Sequence, residues 1–279
     1  QLGATPFFVD VKKDTFNLDV ESFKQAIVDC KKLNLRPSVV IPVDLFGQPA
    51  DIDNIKEVAE ENNIKVLIDG AQSFGAITKN RRVGSMGDAT TTSFFPAKPL
   101  GCYGDGGAIF TDNENLAKKL RSIRVHGSGL DKYDNIRVGI NGRLDTIQAA
   151  ILLEKLSLFD NEVDIRNKNA KYYSNNISSK FRVPHIPLDY ISSWAQYSLL
   201  AKSSKQRKRT MLRLGENNIP SMIYYKIPLH MQKVYRGLGY SVGNFPIAED
   251  ISNKIFSIPM HPYLTIQNQD RIIEVLDSV

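Results

Sequence analysis

Short apolar runs alternate with amphipathic stretches along the first half of the chain. Residues 5–11 read as a strand, and Phe23, Ile27, Cys30 and Leu33 then recur at helical spacing behind Asp19, whose carboxylate suits a helix cap. Residues 38–43 give a second strand. Helical spacing returns with Ile52, Ile55, Val58 and Ala59, and the apolar run Lys65-Val66-Leu67-Ile68 follows and stops on Asp69. Residues 90–94 and 108–111 are two further strands, and Leu116, Leu120 and Ile123 mark the next helix. Strands alternating with helices predict a mostly parallel sheet covered by helices, whose ligands sit at the carboxyl ends of the strands. Asp69 and Lys98 both fall at such ends.

Beyond Arg143, Leu144, Ile147, Ile151 and Leu158 predict a helix with one apolar face. Residues 161–179 continue at helical spacing through Val163, Ala170, Tyr173 and Ile177, and Pro184 and Pro187 break the pattern. Polarity rises at this point, so two domains are expected, 1–160 and 161–279. The second offers strands at 194–201 and 221–225, a basic helix over 204–217 and a last helix from Ile266. It reads as a smaller α/β unit.

Composition narrows the picture. The 279 residues suffice for a full core. No apolar run is long enough to cross a bilayer, no basic-then-apolar leader opens the sequence, and the cytoplasm is expected. Residue 1 is Gln, so a processed or partial product is expected. Cys30 and Cys102 show no C-x-x-C or zinc spacing and read as small buried hydrophobes. A net charge of +6 favours anionic ligands in general.

Residues 90–110 hold one lysine in an almost uncharged run. Pro96 and Pro99 forbid a regular helix or a central strand around Lys98, and four glycines follow, so the amine sits on a tight, fixed loop. Apolar neighbours such as Phe94, Phe95 and Leu100 would lower its pKa and free it to attack a carbonyl. A loop lysine pointing into water is the alternative. Asp69 precedes the small-residue turn Gly70-Ala71-Gln72-Ser73-Phe74-Gly75; alone, such an aspartate is more often a cap or turn former. Together the two match the needs of an aldehyde cofactor, a lysine for the Schiff base and a carboxylate for the pyridinium nitrogen. Ser93 and the loop glycines could then serve its phosphate.

Four blocks in register carry a family resemblance: Ile68-Asp69-Gly70-Ala71-Gln72-Ser73-Phe74-Gly75, the Ser93 to Gly101 loop, Tyr103-Gly104-Asp105-Gly106-Gly107, and Asn141-Gly142-Arg143-Leu144-Asp145-Thr146-Ile147-Gln148-Ala149-Ala150. The sequence resembles the pyridoxal-phosphate-dependent nucleotide-sugar aminotransferases of the DegT/DnrJ/EryC1/StrS family. Tyr224-Tyr225, Pro228-Leu229-His230, Phe245-Pro246 and Pro259-Met260-His261-Pro262-Tyr263 extend the likeness to the end of the chain.

The resemblance implies an α/β fold, the PLP-dependent transferase fold type I, with a mostly parallel large domain and a smaller C-terminal α/β domain. It implies pyridoxal 5'-phosphate as cofactor and makes Lys98 the catalytic lysine, Asp69 the partner of the ring nitrogen, Gln72 the neighbour of the ring's phenolic oxygen and Ser93 a phosphate ligand. Asn141 would reach the phosphate of a neighbouring subunit's cofactor and Arg143 that subunit's substrate, so a homodimer is implied. Tyr224 and Tyr225 fall at substrate-contacting positions. The wording is most like the branch that aminates the C3 ketone of a UDP-linked 2-acetamido hexuluronic acid with L-glutamate, in surface polysaccharide biosynthesis; a 4-keto-6-deoxy nucleotide sugar is the alternative. Ala97 stands where close relatives often have serine. The likeness begins inside the family pattern, without the N-terminal part that carries a phosphate-binding helix start and a ring stacked on the cofactor. Weak cofactor binding and poor turnover, or a catalytically silent transaminase-like protein, are therefore expected of these residues alone.

Other chemistries are weaker. The basic run from Lys202 to Arg213 could neutralise phosphates, but Met211, Leu212 and Leu214 would give it an inner face, and no nucleic-acid-binding pattern accompanies it. His126, His185, His230 and His261 lack metal spacing; His126 and His230 read as bordering the substrate or as core and turn residues. Gly104-Asp105-Gly106-Gly107 is not a dinucleotide fingerprint, because a strand follows it.

Overall fold

The structure, a computed structural model, describes residues 2–131 and 133–279. Gln1, on which the expectation of a processed chain rests, lies outside them. The chain runs through α1 (Val20–Lys32), β1 (Val39–Val40), α2 (Ile52–Glu61), β2 (Lys65–Asp69), β3 (Ile77–Thr78), β4 (Arg81–Arg82), β5 (Ala89–Ser93), β6 (Gly107–Phe110) and α3 (Glu114–Arg124). It continues with α4 (Thr146–Asn176), β7 (Tyr190–Ile191), β8 (Tyr197–Leu200), α5 (Ser204–Glu216), α6 (Pro246–Lys254), β9 (Ile255–Ile258) and α7 (Ile266–Asp277). Local chemistry fixes the helix starts. Asp19 accepts from Glu21 N at the head of α1, Asn113 from Leu116 N at α3, Ser203 from Gln206 N at α5 and Thr265 from Asn268 N at α7.

The sheet that carries the site has the order β1-β2-β5-β6. β1, β2 and β5 are parallel, with Asp69 opposite Thr91, whereas β6 returns antiparallel to β5 with Ser93 opposite Gly107. The region that contains Lys98 thus leaves one strand and re-enters the sheet on its neighbour. Ile55, Val66 and Ile68 lie fully buried between the sheet and α1 and α2, each such side chain contributing about 1.5–3 kcal/mol. A second cluster, around Tyr173, Tyr197, Leu214, Phe256 and Leu276, packs α4, α5 and α7 on the two-stranded antiparallel sheet of β8 and β9. Phe16 and Phe46 meet Ile251 and Ile255 in a smaller cluster that joins the two.

Several expectations need correction. Residues 5–11 form no strand: Val11 makes one isolated bridge to Leu18, Phe8 packs its ring on Tyr235 and Tyr240, and Asp10 accepts from Ile247 N and Ala248 N at the start of α6. The run at 38–43 is shortened to β1 plus a bridge from Val43 to Asp69, and Pro42, without an N–H, interrupts the ladder. Residues 221–225 contribute one bridge, Met222 to Ser257, beside β9, which the apolar pattern did not separate from α6.

The long helix departs most. Residue 160, where a boundary was expected, lies inside α4, whose buried residues Leu152, Phe159, Val163, Arg166, Ala170 and Tyr173 form one continuous face. Ile147 and Leu158, expected on the inner face, are exposed. The first half of α4 is apolar on more than one side, with Leu153 and Leu156 exposed as well, so periodicity could not choose the buried face.

Candidate active site

Asp69 ends β2 beside β5. Gly70 N donates to Thr91 O at 2.9 Å and Thr92 Oγ1 to Gly70 O at 3.2 Å, which ties the turn to the neighbouring strand. A Cβ on Gly70 would stand 2.9 Å from Thr91 O, so the close approach requires glycine. Ala71 N donates to Asp69 Oδ1 at 3.1 Å, and among the described residues no hydrogen bond takes up its other oxygen.

Lys98 follows β5. Pro99, Leu100 and Phe94 beside it are buried, whereas Phe95 is half exposed, so two of the three apolar neighbours expected around the lysine are in the interior. The loop is held from within: Lys98 N donates to Phe95 O at 2.9 Å and Cys102 N to Phe94 O at 2.8 Å, while a Cβ on Gly101 would lie 2.6 Å from Pro96 O. Lys155 Nζ reaches Gly101 O from α4. Partial burial pushes the Lys98 pKa down, and the nearby charge of Asp69 opposes that shift. The ammonium and the carboxylate therefore share one electrostatic environment.

Gln72 is buried, and both ends of its amide are engaged. Oε1 accepts from Phe46 N at 2.6 Å, and Nε2 donates to the Tyr225 hydroxyl at 3.2 Å. Ser193 Oγ donates to Gln72 O at 2.8 Å, fixing the backbone as well. Tyr225 thus comes from the C-terminal half to meet the turn after Asp69. Its hydroxyl pKa is raised by burial, partly offset by the Gln72 bond. Tyr224 stacks edge-on to Tyr225, with centroids 5.6 Å apart, and packs against the Phe16-Phe46 cluster. Ser93 Oγ accepts from Phe95 N at 3.2 Å, which leaves its own proton free to donate.

Asn141 and Arg143 form a separate group. Both are exposed, Arg143 Nε donates to Asn141 Oδ1 at 3.2 Å, and Asn141 bridges to Val125 at the end of α3. His230 is a core residue, its Nε2 3.1 Å from Glu249 Oε1 and its ring edge-on to Phe245. His126 is an exposed turn residue with φ 59°. On α5, Leu214 and Met211 pack inward as expected, with Thr210 buried beside them, whereas Leu212 faces out and corrects its place on the inner face.

Sequence reasoning missed four residues behind the site: Asp44, Phe46, Ser73 and Ser193. A signal existed for Asp44, since Val43-Asp44 ends its strand as Ile68-Asp69 ends the next. Phe46 gives none: it has φ 63°, a conformation that its residue type does not announce.

The DegT/DnrJ/EryC1/StrS aminotransferase family matches residues 1–277. The chain belongs to that family. Within it, the chain is 40% identical over 264 residues to the UDP-2-acetamido-2-deoxy-3-oxo-D-glucuronate aminotransferase of Pseudomonas aeruginosa, a match covering 94% of this chain and 70% of that protein. It resembles the crystal structure of a DegT DnrJ EryC1 StrS aminotransferase from Brucella abortus with a TM-score of 0.95 and 45% identity, over 99% of this chain and 74% of that one. The PLP form of a sugar aminotransferase from Streptococcus pneumoniae matches with a TM-score of 0.90 and 26% identity, over 99% and 75% of the two chains. The fold is fold type I and the cofactor of this family member is pyridoxal phosphate.

The residues present fit that cofactor. A half-buried amine with a lowered pKa suits capture of an aldehyde, a carboxylate oxygen without a donor suits a ring N–H, and Gln72 offers an amide N–H in a buried turn. Among the described residues no helix is long and apolar enough to cross a membrane.

Proposed function

We propose that the protein transfers an amino group to the C3 ketone of a UDP-linked 2-acetamido hexuluronic acid, with L-glutamate as donor, in the cytoplasmic supply of amino sugars for surface polysaccharide. The observation that carries this reading is the pairing of Asp69 and Lys98 at the ends of the adjacent strands β2 and β5, with the lysine amine partly desolvated under the carboxylate's influence. The choice of ketone rests on the 3-oxo sugar named for the Pseudomonas aeruginosa relative.

Bound pyridoxal phosphate supplies an electron-withdrawing ring that stabilises negative charge at the reacting carbon. The chain's residues do the rest. Asp69 keeps the ring nitrogen protonated, and Gln72 Nε2 offers a donor to the ring oxygen. Ser93 offers its hydroxyl to the phosphate. Lys98 Nζ would hold the cofactor through its aldehyde and, as a free amine, would serve as the base and acid that moves the proton at the reacting carbon. Burial lowers the pKa of that amine, which favours the neutral form that proton abstraction requires. Tyr225, tied to Gln72, and Tyr224 line the sugar side. Asn141 and Arg143, exposed and bonded to each other, serve the site of a second copy in a homodimer, Asn141 at the phosphate and Arg143 at the sugar carboxylate. The unit boundary follows α4: its first half packs on the Lys98 region, through Leu152 and Phe159, and its second half on the two-stranded sheet of β8 and β9.

The test is to supply the 3-oxo and the 4-keto-6-deoxy nucleotide sugars separately with nitrogen-15 glutamate and pyridoxal phosphate, and to weigh the products. Label in the C3 amino sugar, absent with Lys98→Ala, is expected. Label only in the 4-amino sugar overturns the choice of substrate, and label in neither overturns the catalytic reading.

A further inference from the structure

Asp44 is fully buried, yet it is no part of the machinery assigned above. It follows Val43 at the end of the segment that β1 begins, directly beside Asp69: Asp69 N donates to Pro42 O at 2.9 Å and Asp44 N to Asp69 O at 3.0 Å. Its carboxyl joins two turns. Oδ2 accepts from Ser73 Oγ at 2.7 Å, in the turn that carries Gln72, and Oδ1 accepts from Ala50 N at 2.8 Å, just past the turn that carries Phe46. Those turns meet again at the bond from Phe46 N to Gln72 Oε1. Ser193 closes the frame from the other side, its N donating to Gly47 O at 2.9 Å and its Oγ to Gln72 O.

We propose that Asp44 is a positioning residue of the aminotransferase site: by clamping the turns at Ser73 and Ala50 it holds Phe46 N against Gln72 Oε1 and so fixes which way the Gln72 amide faces. This rests on the functional reading above. A glutamine amide can flip, and if it did so here Nε2 would meet the Phe46 N–H donor. Holding Phe46 N on the oxygen side excludes that state. Nε2 is then directed to the Tyr225 hydroxyl and the cofactor side.

The charge facing Asp44 is that of Asp69 on β2; its other close partners are the neutral Ser73 hydroxyl and Ala50 amide. Burial and Asp69 together push the Asp44 carboxyl up to about 7, against those two bonds. A cation held by Asp69 removes part of that push. Cofactor affinity in the wild-type protein should then gain a component that grows as pH rises through 7, and an uncharged residue 44 should lack it.

The decisive measurement needs no cofactor: amide hydrogen exchange at Phe46 in the full chain, for wild type, Asp44→Asn, Asp44→Ala and Ser73→Ala. Asparagine can keep both bonds, because the Ser73 hydroxyl can reverse to accept. Faster exchange at Phe46 in Asp44→Ala and Ser73→Ala, with Asp44→Asn near wild type, is the expected result. Equal protection in all four overturns the proposal. Ser73→Ala leaves the buried carboxyl in place and supplies the answer if Asp44→Ala does not fold. In parallel, pyridoxal phosphate binding is followed by absorbance from pH 6 to 8. Asp44→Ala should bind about tenfold more weakly than wild type, and Asp44→Asn should match wild type at pH 6 and fall behind it at pH 8. Identical pH courses overturn the link to Asp69. If wild type takes up no pyridoxal phosphate while Phe46 protection still depends on Asp44, the functional reading fails and the clamp stands.

Discussion

Replacing Gly47 by alanine should disorganise the site from a position that touches no substrate. Gly47 has φ +97°, where an alanine costs about 1–2 kcal/mol. Its new Cβ would lie 2.6 Å from Ser193 Oγ, 2.7 Å from Trp194 N and 2.8 Å from Ala195 N. Two of those atoms are backbone, in a segment where Ser193 is fully buried, so no side-chain rotation relieves the contact. Ordinary van der Waals spacing returns only if the segment retreats by roughly 0.6 Å or more. That retreat gives up the bond from Ser193 N to Gly47 O and loosens the one from Ser193 Oγ to Gln72 O, each worth about 1 kcal/mol. The expected loss is about 3–4 kcal/mol. Urea unfolding of the protein without cofactor measures it, with Gly237→Ala as control, since a Cβ there meets nothing within 4 Å. A loss under about 1 kcal/mol for Gly47→Ala would refute the reasoning. So would an equal loss in the control.

Two more predictions concern buried charge. The Asp44 carboxyl, ordinarily near 3.8, is held near 7 in the folded protein, so the folded state binds more protons than the unfolded chain between those values. Wild-type stability should therefore fall as pH rises from about 4 to about 7 and then level off, by at most about 4 kcal/mol, and Asp44→Asn should lack that fall; parallel stability curves by denaturant titration would contradict this. Arg166, buried on α4, donates from Nη1 to Trp194 O at 3.0 Å and to Met260 O at 3.4 Å. Arg166→Ala should lose about 2–4 kcal/mol in thermal unfolding by stranding those carbonyls, and an unchanged midpoint would show that water satisfies them.

The parts of the site legible in the sequence are those where one residue's neighbours along the chain decide its role. Ile68-Asp69-Gly70 declares a buried strand, its end and a close turn, and Pro96 to Gly101 declares a rigid lysine-bearing loop. Both appear at the ends of adjacent strands. What stayed hidden depends on contacts distant in sequence. The clamp at Asp44 needs Ser73 and Ala50, and Tyr225 matters through Gln72. The buried face of α4 was ambiguous because Ile147, Leu153 and Leu156 compete with Leu152 and Phe159. Residues 5–11 had strand composition, yet the Phe8 ring packs on Tyr235 and Tyr240 and the segment joins no sheet. Propensity described what those residues could do, and tertiary contacts selected among the options.

The return of β6 alongside β5 limits how this enzyme can change over generations. Ser93 and Gly107 face each other across the ladder, so the chain between them spans a gap of fixed width. A Cβ on Gly107 would already lie 2.6 Å from Thr92 O, leaving no slack at that closure. Adding or deleting one residue at the ladder would shift the register of β6 and turn each of its side chains to the other face, and one added between Ser93 and Gly107 would have to be taken up by the loop that carries Lys98. The lysine-bearing segment is therefore constrained in length as well as at Gly101 and Gly107.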